Sequence, residues 1–307
     1  MMKMNLTKKL VGCIILILLL FTIPKVSAQS SARIDTTRRL KAVIITGSTF
    51  YAGTIAYTYY LWYKDSSGSR FHWVNENSSW LQLDKIGHAT TGYTFSEYSY
   101  YTLSWAGLNN KKAAIYGALF GFGSITSIEL FDGFHSKWGA SWGDIIANGS
   151  GSILFSAQQL VWQEQRLRLK FSYHPSAKYA SLNPATLGEN QLKRVFNDYN
   201  SQTYWLSANV ASFSSKPTRF PDWLNVALGY GGRGLGIPPQ LDESRNILPD
   251  FIRTGEYYLS LDVDLQRIST NSKFLKMVFK LFRFVKVPFP AIEYNKVDKL
   301  ELHWMYF

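Results

Sequence analysis

The chain is nearly without cysteine. Among its 307 residues only Cys13 occurs, inside an apolar stretch near the N-terminus. A disulfide framework, a thiolate zinc site and a cysteine nucleophile are therefore excluded for everything beyond that stretch. Acidic residues are also in short supply, 21 Asp and Glu against 33 Lys and Arg, for a net charge of +12. Long apolar runs are scarce too: Val11–Ile23 is followed by nothing comparable, and the mean hydropathy of −0.10 argues against a chain of several membrane spans. What is abundant is apolar and aromatic material, 46% and 16% of residues. That composition excludes intrinsic disorder. A chain without disulfides must rest its fold on packing or on a membrane.

The N-terminus has the form of a secretory signal over residues 1–28. Lys3, Lys8 and Lys9 precede the apolar run, and Val26-Ser27-Ala28 supplies the small residues of a cleavage site before Gln29. An uncleaved anchor is the alternative. Leu10-Val11-Gly12-Cys13 looks like a lipoprotein box, but the apolar run follows Cys13 instead of preceding it, which argues against lipidation there. Loss of the signal removes four Lys and no acid, leaving a net charge of about +8. Excess positive charge on an exported chain points to lipid headgroups and away from nucleic acid.

Length suggests two domains, and the residue pattern changes near 165. Residues 29–40 form a basic lead in which Arg33, Arg38 and Arg39, with Lys41 just after, could touch headgroups or simply be solvated. Over 41–164 the spacing predicts four helices of roughly 20 residues, near 42–63, 84–106, 111–131 and 141–162, joined by short connections into an antiparallel bundle. Ala113, Gly117 and Gly121 repeat every four residues, a device that lets helix backbones approach closely. Residues 165–307 read as a β-containing, aromatic-rich region. Period-2 alternation marks strands at 166–173, 257–265 and 299–306, with Gly- and Pro-rich loops such as 229–236 between them. Three strands are too few for a membrane barrel. Gly229-Tyr-Gly-Gly-Arg-Gly234 lacks the strand-then-helix frame of a nucleotide loop. In segment 273–286, Lys273, Lys276, Lys280 and Arg283 fall on one helical stripe among Phe, Leu and Val. That is the pattern of an interfacial helix on anionic lipid, or of a surface helix packed on its own domain.

The polar residues of the bundle are the candidate site. Asp84, Lys85 and His88 open the second helix, with Asp84 suited to its N-cap; Glu129 and Asp132 close the third; Asp144 and Asn148 share a face of the fourth, continued by Gly151. Polar groups on apolar helices are costly to bury alone, so these should meet at one end of the bundle. His72, His135, His174 and His303 have no such neighbours in the sequence and read as surface or loop residues.

Asp-Lys-x-x-His at 84–88, Glu-x-x-Asp at 129–132 and Asp-x-x-x-Asn-x-x-Gly at 144–151 resemble the YfiM-like family of predicted periplasmic proteins, itself similar to VanZ-like helical domains. The likeness covers roughly residues 40–165. It implies a helical bundle of that type, which together with the strand pattern after residue 165 makes an α+β chain, expected in the periplasm or at the outer membrane of a Gram-negative cell. VanZ-like domains usually have Gln at the position of Asp132, and often Arg shortly before that of Asp144, where Trp138 and Ser141 stand here. The departure favours the YfiM-like branch, which has no assigned reaction.

Three functions stay open on these residues. The cluster can be a buried network that fixes helix register in a membrane-associated envelope protein. It can be a hydrolase or transferase site, with His88 as base or ligand, Glu129, Asp132 and Asp144 as acid–base or metal-binding groups, and Ser141 nearby. One imidazole with two or three carboxylates suits a hard divalent cation, whose presence the spacing leaves open. The aromatic C-terminal region can also serve as a docking surface for an outer-membrane protein partner.

Overall fold

The computed structural model describes residues 35–64, 68–175, 177–214, 220–237, 239–241 and 247–307. The signal segment, Cys13, Arg33 and Pro238 lie outside them.

Helix α1 (Thr36–Thr58) starts at Asp35, whose carboxylate accepts from the Arg38 amide at 2.9 Å, and runs on into a π-helical turn over Tyr59–Tyr63. The next two helices, α2 (Leu83–Trp105) and α3 (Asn110–Asp132), are joined by a short turn. Asn109 caps α3 by accepting from the Lys112 amide at 2.9 Å. A two-residue strand, β1 (Trp73–Val74), runs parallel to β2 (Ala140–Ser141), and Ser141 caps α4 (Trp142–Val161).

Helices α2, α3 and α4 pack against one another through small residues. A methyl group on Gly151 would overlap the Ala89 carbonyl, one on Gly121 would meet Ser96, and one on Gly92 would sit 2.6 Å from the Asn148 carbonyl. The Ala113/Gly117/Gly121 stripe is therefore the contact line of α3 on α2. Helix α1 is different. It lies along one flank, held by the Tyr51 hydroxyl on Ser127, by Tyr51 edge-on to Phe120, and by Arg39 over the Trp105 ring. The expected four-helix bundle is thus a three-helix core with a lateral fourth helix. The glycines of the flank helix, Gly47 and Gly53, have no atom within 4 Å of where a side chain would start, so they bring its backbone close to no neighbour.

The C-terminal half is a six-stranded antiparallel meander in chain order. Its strands are β3 (Leu167–Tyr173), β4 (Gln202–Ala208), β5 (Leu224–Arg233), β6 (Thr254–Val263), β7 (Phe289–Asn295) and β8 (Lys299–Tyr306). Three short helices, α5 (Ala177–Leu182), α6 (Pro184–Leu187) and α7 (Gln191–Asn197), connect β3 to β4, and α8 (Lys273–Leu281) precedes β7. After α8 the chain lies along β3: the Phe171 amide donates to the Phe284 carbonyl at 2.8 Å, and the Lys286 amide to the Phe171 carbonyl at 2.9 Å. At the far end Tyr306 of β8 reaches back to Thr203 and Trp205 of β4, so the sheet is strongly curled.

Half of these strands differ from the sequence expectation, and each has a physical reason. Residues 229–233 are not loop but the end of β5, because Gly229 lies beneath the Trp205 ring, where a side chain would collide. Strand β4 hides Gln202, Thr203 and Ser207 inside the sheet, and β7 carries Pro290, so neither advertises itself by apolar alternation.

The polarity of the sheet is inverted. On its inner face Lys170 and Asp262, both 0% exposed, pair at 2.6 Å. Arg168 bonds Glu97 at 2.7 Å and Asp264 at 3.3 Å. Lys286 lies over the Trp205 ring, and burial pushes its ammonium down to about 8. On the outer face one register row reads Leu169, Leu206, Leu228, Leu259, Ile292, Leu302 across all six strands. The next row reads Phe171, Tyr204, Tyr230, Tyr257, Tyr294, Leu300; its first three residues pack around Leu83, and only Tyr257, Tyr294 and Leu300 are exposed. From Leu206 to Leu302 the aliphatic row is exposed, and Leu300 and Trp304 are 70% and 83% exposed.

The tight helix contact yields a prediction. Gly151→Ala should lower the unfolding free energy by about 1–3 kcal/mol, despite alanine's better helix propensity, because the added methyl meets a backbone carbonyl. Chemical denaturation measures it, and an unchanged midpoint would contradict this helix contact.

Candidate functional site

The site lies where α2, α3 and α4 meet the start of the sheet. Helix α2 begins one residue earlier than expected, at Leu83, after a left-handed run in which Trp80, Leu81 and Gln82 have φ of 52°, 53° and 67°. Leu83 is drawn into an apolar cluster with Tyr204 and Leu235. Asp84 is consequently not the N-cap but a first-turn acid, free to turn its carboxylate inward. Gly87 lets α2 approach Tyr204 so closely that a Cβ there would lie 2.6 Å from the Tyr204 hydroxyl.

At the centre is His88. Its Nδ1 is 2.9 Å from Asn148 Oδ1, while the Asn148 amide nitrogen reaches Thr126 Oγ1 at 3.4 Å. With that amide orientation Nδ1 carries a proton and donates it. Nε2 then faces three carboxylates: Glu129 Oε1 at 3.5 Å, Asp84 Oδ1 at 3.7 Å and Asp144 Oδ1 at 3.9 Å. Lys85 reaches across them, 3.0 Å from Asp84 and 2.7 Å from Asp144. Glu129 Oε2 accepts from the Ser141 amide at 3.1 Å.

Six of the seven predicted bundle residues therefore converge: Asp84, Lys85, His88, Glu129, Asp144 and Asn148. Asp132 stands to one side, its carboxylate taking a 2.5 Å hydrogen bond from Tyr63. Ser141 is committed as the α4 cap and buried, so it offers no nucleophile in this conformation.

The acids outnumber the bases, and the electrostatics follow. Burial pushes Glu129 up to about 8, against the pull of His88. Burial also raises Asp132, to about 6, although the Tyr63 bond opposes it. For His88 burial favours the neutral ring, but Asp84, Asp144 and Glu129 outweigh it and raise its pKa. Asp84 is lowered despite its burial, by His88 and Lys85.

Some participants were hidden from the sequence. Tyr199, just before β4, donates to Asp84 Oδ1 at 2.5 Å. No motif signals it, because it arrives from the other half of the chain. A second buried network joins Glu97, Arg168, Asp264 and Arg283. Arg283 is therefore not on the basic stripe: it lies beyond the end of α8, buried between Tyr98 and Tyr101. Lys273, Lys276 and Lys280 are exposed. Two other histidines depart from expectation. His135 is buried, stacked 3.9 Å from Trp138, and His303 meets Glu293 at 2.8 Å.

Above the site, Val74, Asn75, Asn77, Ser141, Trp142 and Gly143 line a cavity of about 210 Å³. Trp73 and Trp142 stack beside it at 4.2 Å.

All of these site-forming helix residues fall inside one recognisable segment. Residues 72–158 match a family described as predicted periplasmic lipoprotein (DUF2279). The match runs from next to β1 almost to the end of α4. The family is one of unknown function, and its periplasmic character agrees with the exported location expected from the N-terminus. No curated protein and no solved structure matches the chain.

The pairing around Lys85 can be tested by a double-mutant cycle. Lys85→Met leaves Asp84 and Asp144 without their ammonium and should cost about 3–5 kcal/mol. Adding Asp144→Asn should recover part of that loss. Strictly additive effects in urea denaturation would contradict the pairing.

Proposed function

We propose that the protein is a lipid-seated component of the cell envelope, with membrane lipid as its partner and the polar cluster as an internal site. The observation that carries this reading is the exposed aliphatic row from Leu206 to Leu302, set on the opposite face from buried ion pairs. A sheet in water turns its apolar face inward; a sheet against hydrocarbon does the reverse.

The helices support it. Ile146, Ile153 and Leu160 make an exposed stripe along α4, and Ile115 and Leu119 extend the apolar surface onto α3. Helix α3 is the one described helix long and apolar enough to cross a membrane, yet a third of that stretch is buried, as suits a packed helix. The reading is of a face laid against lipid. Helix α8 adds Phe274 and Leu275 beside Lys273, Lys276 and Lys280, pairing apolar insertion with attraction to anionic headgroups. A single protein partner accounts less well for apolar surface spread over sheet, bundle and α8, since a docking site is one bounded patch. The finer likeness to YfiM-like and VanZ-like domains belongs to this reading, supported by the three motifs lying within the matched segment.

The test is flotation with phosphatidylglycerol vesicles. The protein should float with them and stay bound in 1 M salt. Leu228→Asp with Leu259→Asp should cut the bound fraction at least about tenfold, while Lys273→Glu, Lys276→Glu and Lys280→Glu together should weaken binding at low salt and 1 M salt should restore it by screening the new repulsion. A protein that stays at the bottom of the gradient, or floats equally well with both aspartates, would overturn the reading.

A further inference from the structure

We infer that His88, Glu129, Asp84 and Asp144 form a binding site for one divalent transition-metal ion of the zinc class. This inference goes beyond the lipid reading and does not depend on it.

The first support is the state of the imidazole. Asn148 accepts the Nδ1 proton, which turns Nε2 into the ring of carboxylates, where an ion can take the place of a proton. Metal-bound histidines are usually fixed in this way, the other ring nitrogen donating to an oxygen. Yet Nε2 has no hydrogen-bond partner among the described residues. Its three neighbouring oxygens stand off at 3.5, 3.7 and 3.9 Å.

The second support is that spacing. A tetrahedral ion held at about 2.0–2.2 Å puts its ligand atoms about 3.3–3.6 Å apart. The three distances from Nε2 need to close by only a few tenths of an ångström, while the carboxylates must draw further together around the ion, Glu129 most of all. Donor atoms from Asp84, His88 and Asp144 all lie within 4.8 Å of one another. Asp144 Oδ1 is buried and accepts no well-formed hydrogen bond, although the Lys85 ammonium lies 2.7 Å away.

The third support is charge. Three carboxylates face one ammonium and one imidazole. Without an ion the cluster balances its charge by keeping protons on Glu129 and His88; a dication together with Lys85 balances Asp84, Glu129 and Asp144 once those protons are displaced. Lys85 holds the flanks of Asp84 and Asp144, Tyr199 orients Asp84, and the Ser141 amide orients Glu129. These are the outer contacts a metal site requires. Nitrogen and oxygen donors without sulfur suit zinc or manganese. The cavity lined by Ser141 and Gly143 comes close to Lys85, whose Cε lies 3.0 Å from where a Gly143 side chain would start.

The experiment is zinc titration of the chelator-stripped full-length mature protein, read by calorimetry and by thermal unfolding. One equivalent should bind, and the melting temperature should rise with zinc concentration. His88→Ala should weaken binding at least about 100-fold, and Asn148→Ala about 10- to 100-fold. His303→Ala, which removes the histidine of the Glu293/Glu301/His303 group on the sheet, should change nothing. X-ray absorption on the zinc-loaded unmutated protein provides a reading that needs no variant to fold: one imidazole and otherwise oxygen ligands are expected. No saturable binding, binding that survives His88→Ala or disappears in His303→Ala, or a shell with two or more imidazoles would each overturn the proposal.

Discussion

The structure depends on polar groups being turned inward. Lys170 with Asp262 ties β3 to β6, and Arg168 joins β3 to α2 through Glu97. Lys85 holds α2 against α4 through Asp144. The buried apolar clusters are small by comparison, one around Leu83, Tyr204 and Leu235 and one around Trp205, Ala227 and Tyr258. Desolvating ions costs several kcal/mol each, and pairing commonly does little more than return it. A protein in water would gain by exchanging such an interior for the leucines and isoleucines that this one leaves outside. With hydrocarbon outside, the exterior leucines lose nothing, and internal pairing becomes the only place the charges can go. The proposed lipid surroundings would account for both faces of the sheet at once.

The same constraint explains how the site is built. Its residues come from three helices that approach closely only because Gly92, Gly121 and Gly151 lack side chains, and Tyr199 closes it from the sheet. The result is an acid-rich chamber whose single imidazole is locked by Asn148. Such a chamber needs positive charge: Lys85 supplies one, and protons on Glu129 or a bound dication supply the rest.

Much of the helical half was legible in the sequence. The bounds of α2, α3 and α4 follow from their turn residues and caps to within one or two residues, and the three motifs identify six of the converging site residues. Periodicity was less informative for the sheet. Alternation shows that a strand has two faces, but it does not say which face is inside. Leu259 and Leu261 alternate with Ser260 and Asp262 equally well either way, and the polar set is the buried one. Strand β5 was concealed by Gly229, Gly231 and Gly232, of which Gly229 lies beneath the Trp205 ring and Gly232 against Leu81, Leu83 and Leu235. Arg283 fitted a surface stripe by spacing alone, yet α8 stops at Leu281 and the next turn carries Arg283 inward to Glu97. Neither Tyr199 nor Arg168 carries a local signal, because their partners lie 115 and 71 residues away.

The central claim is that the apolar row of the sheet faces lipid, and spin-label accessibility tests it most directly. In a Cys13→Ser background, nitroxides are attached at Leu259→Cys, at Leu302→Cys and, in the turn between β7 and β8, at Lys296→Cys. In the membrane-bound protein, labels at 259 and 302 should collide more with oxygen than with a water-soluble nickel chelate, and the label at 296 should do the reverse. Nickel accessibility at 259 and 302 equal to that at 296 would mean that water bathes this face, and the account of the inverted fold would fail.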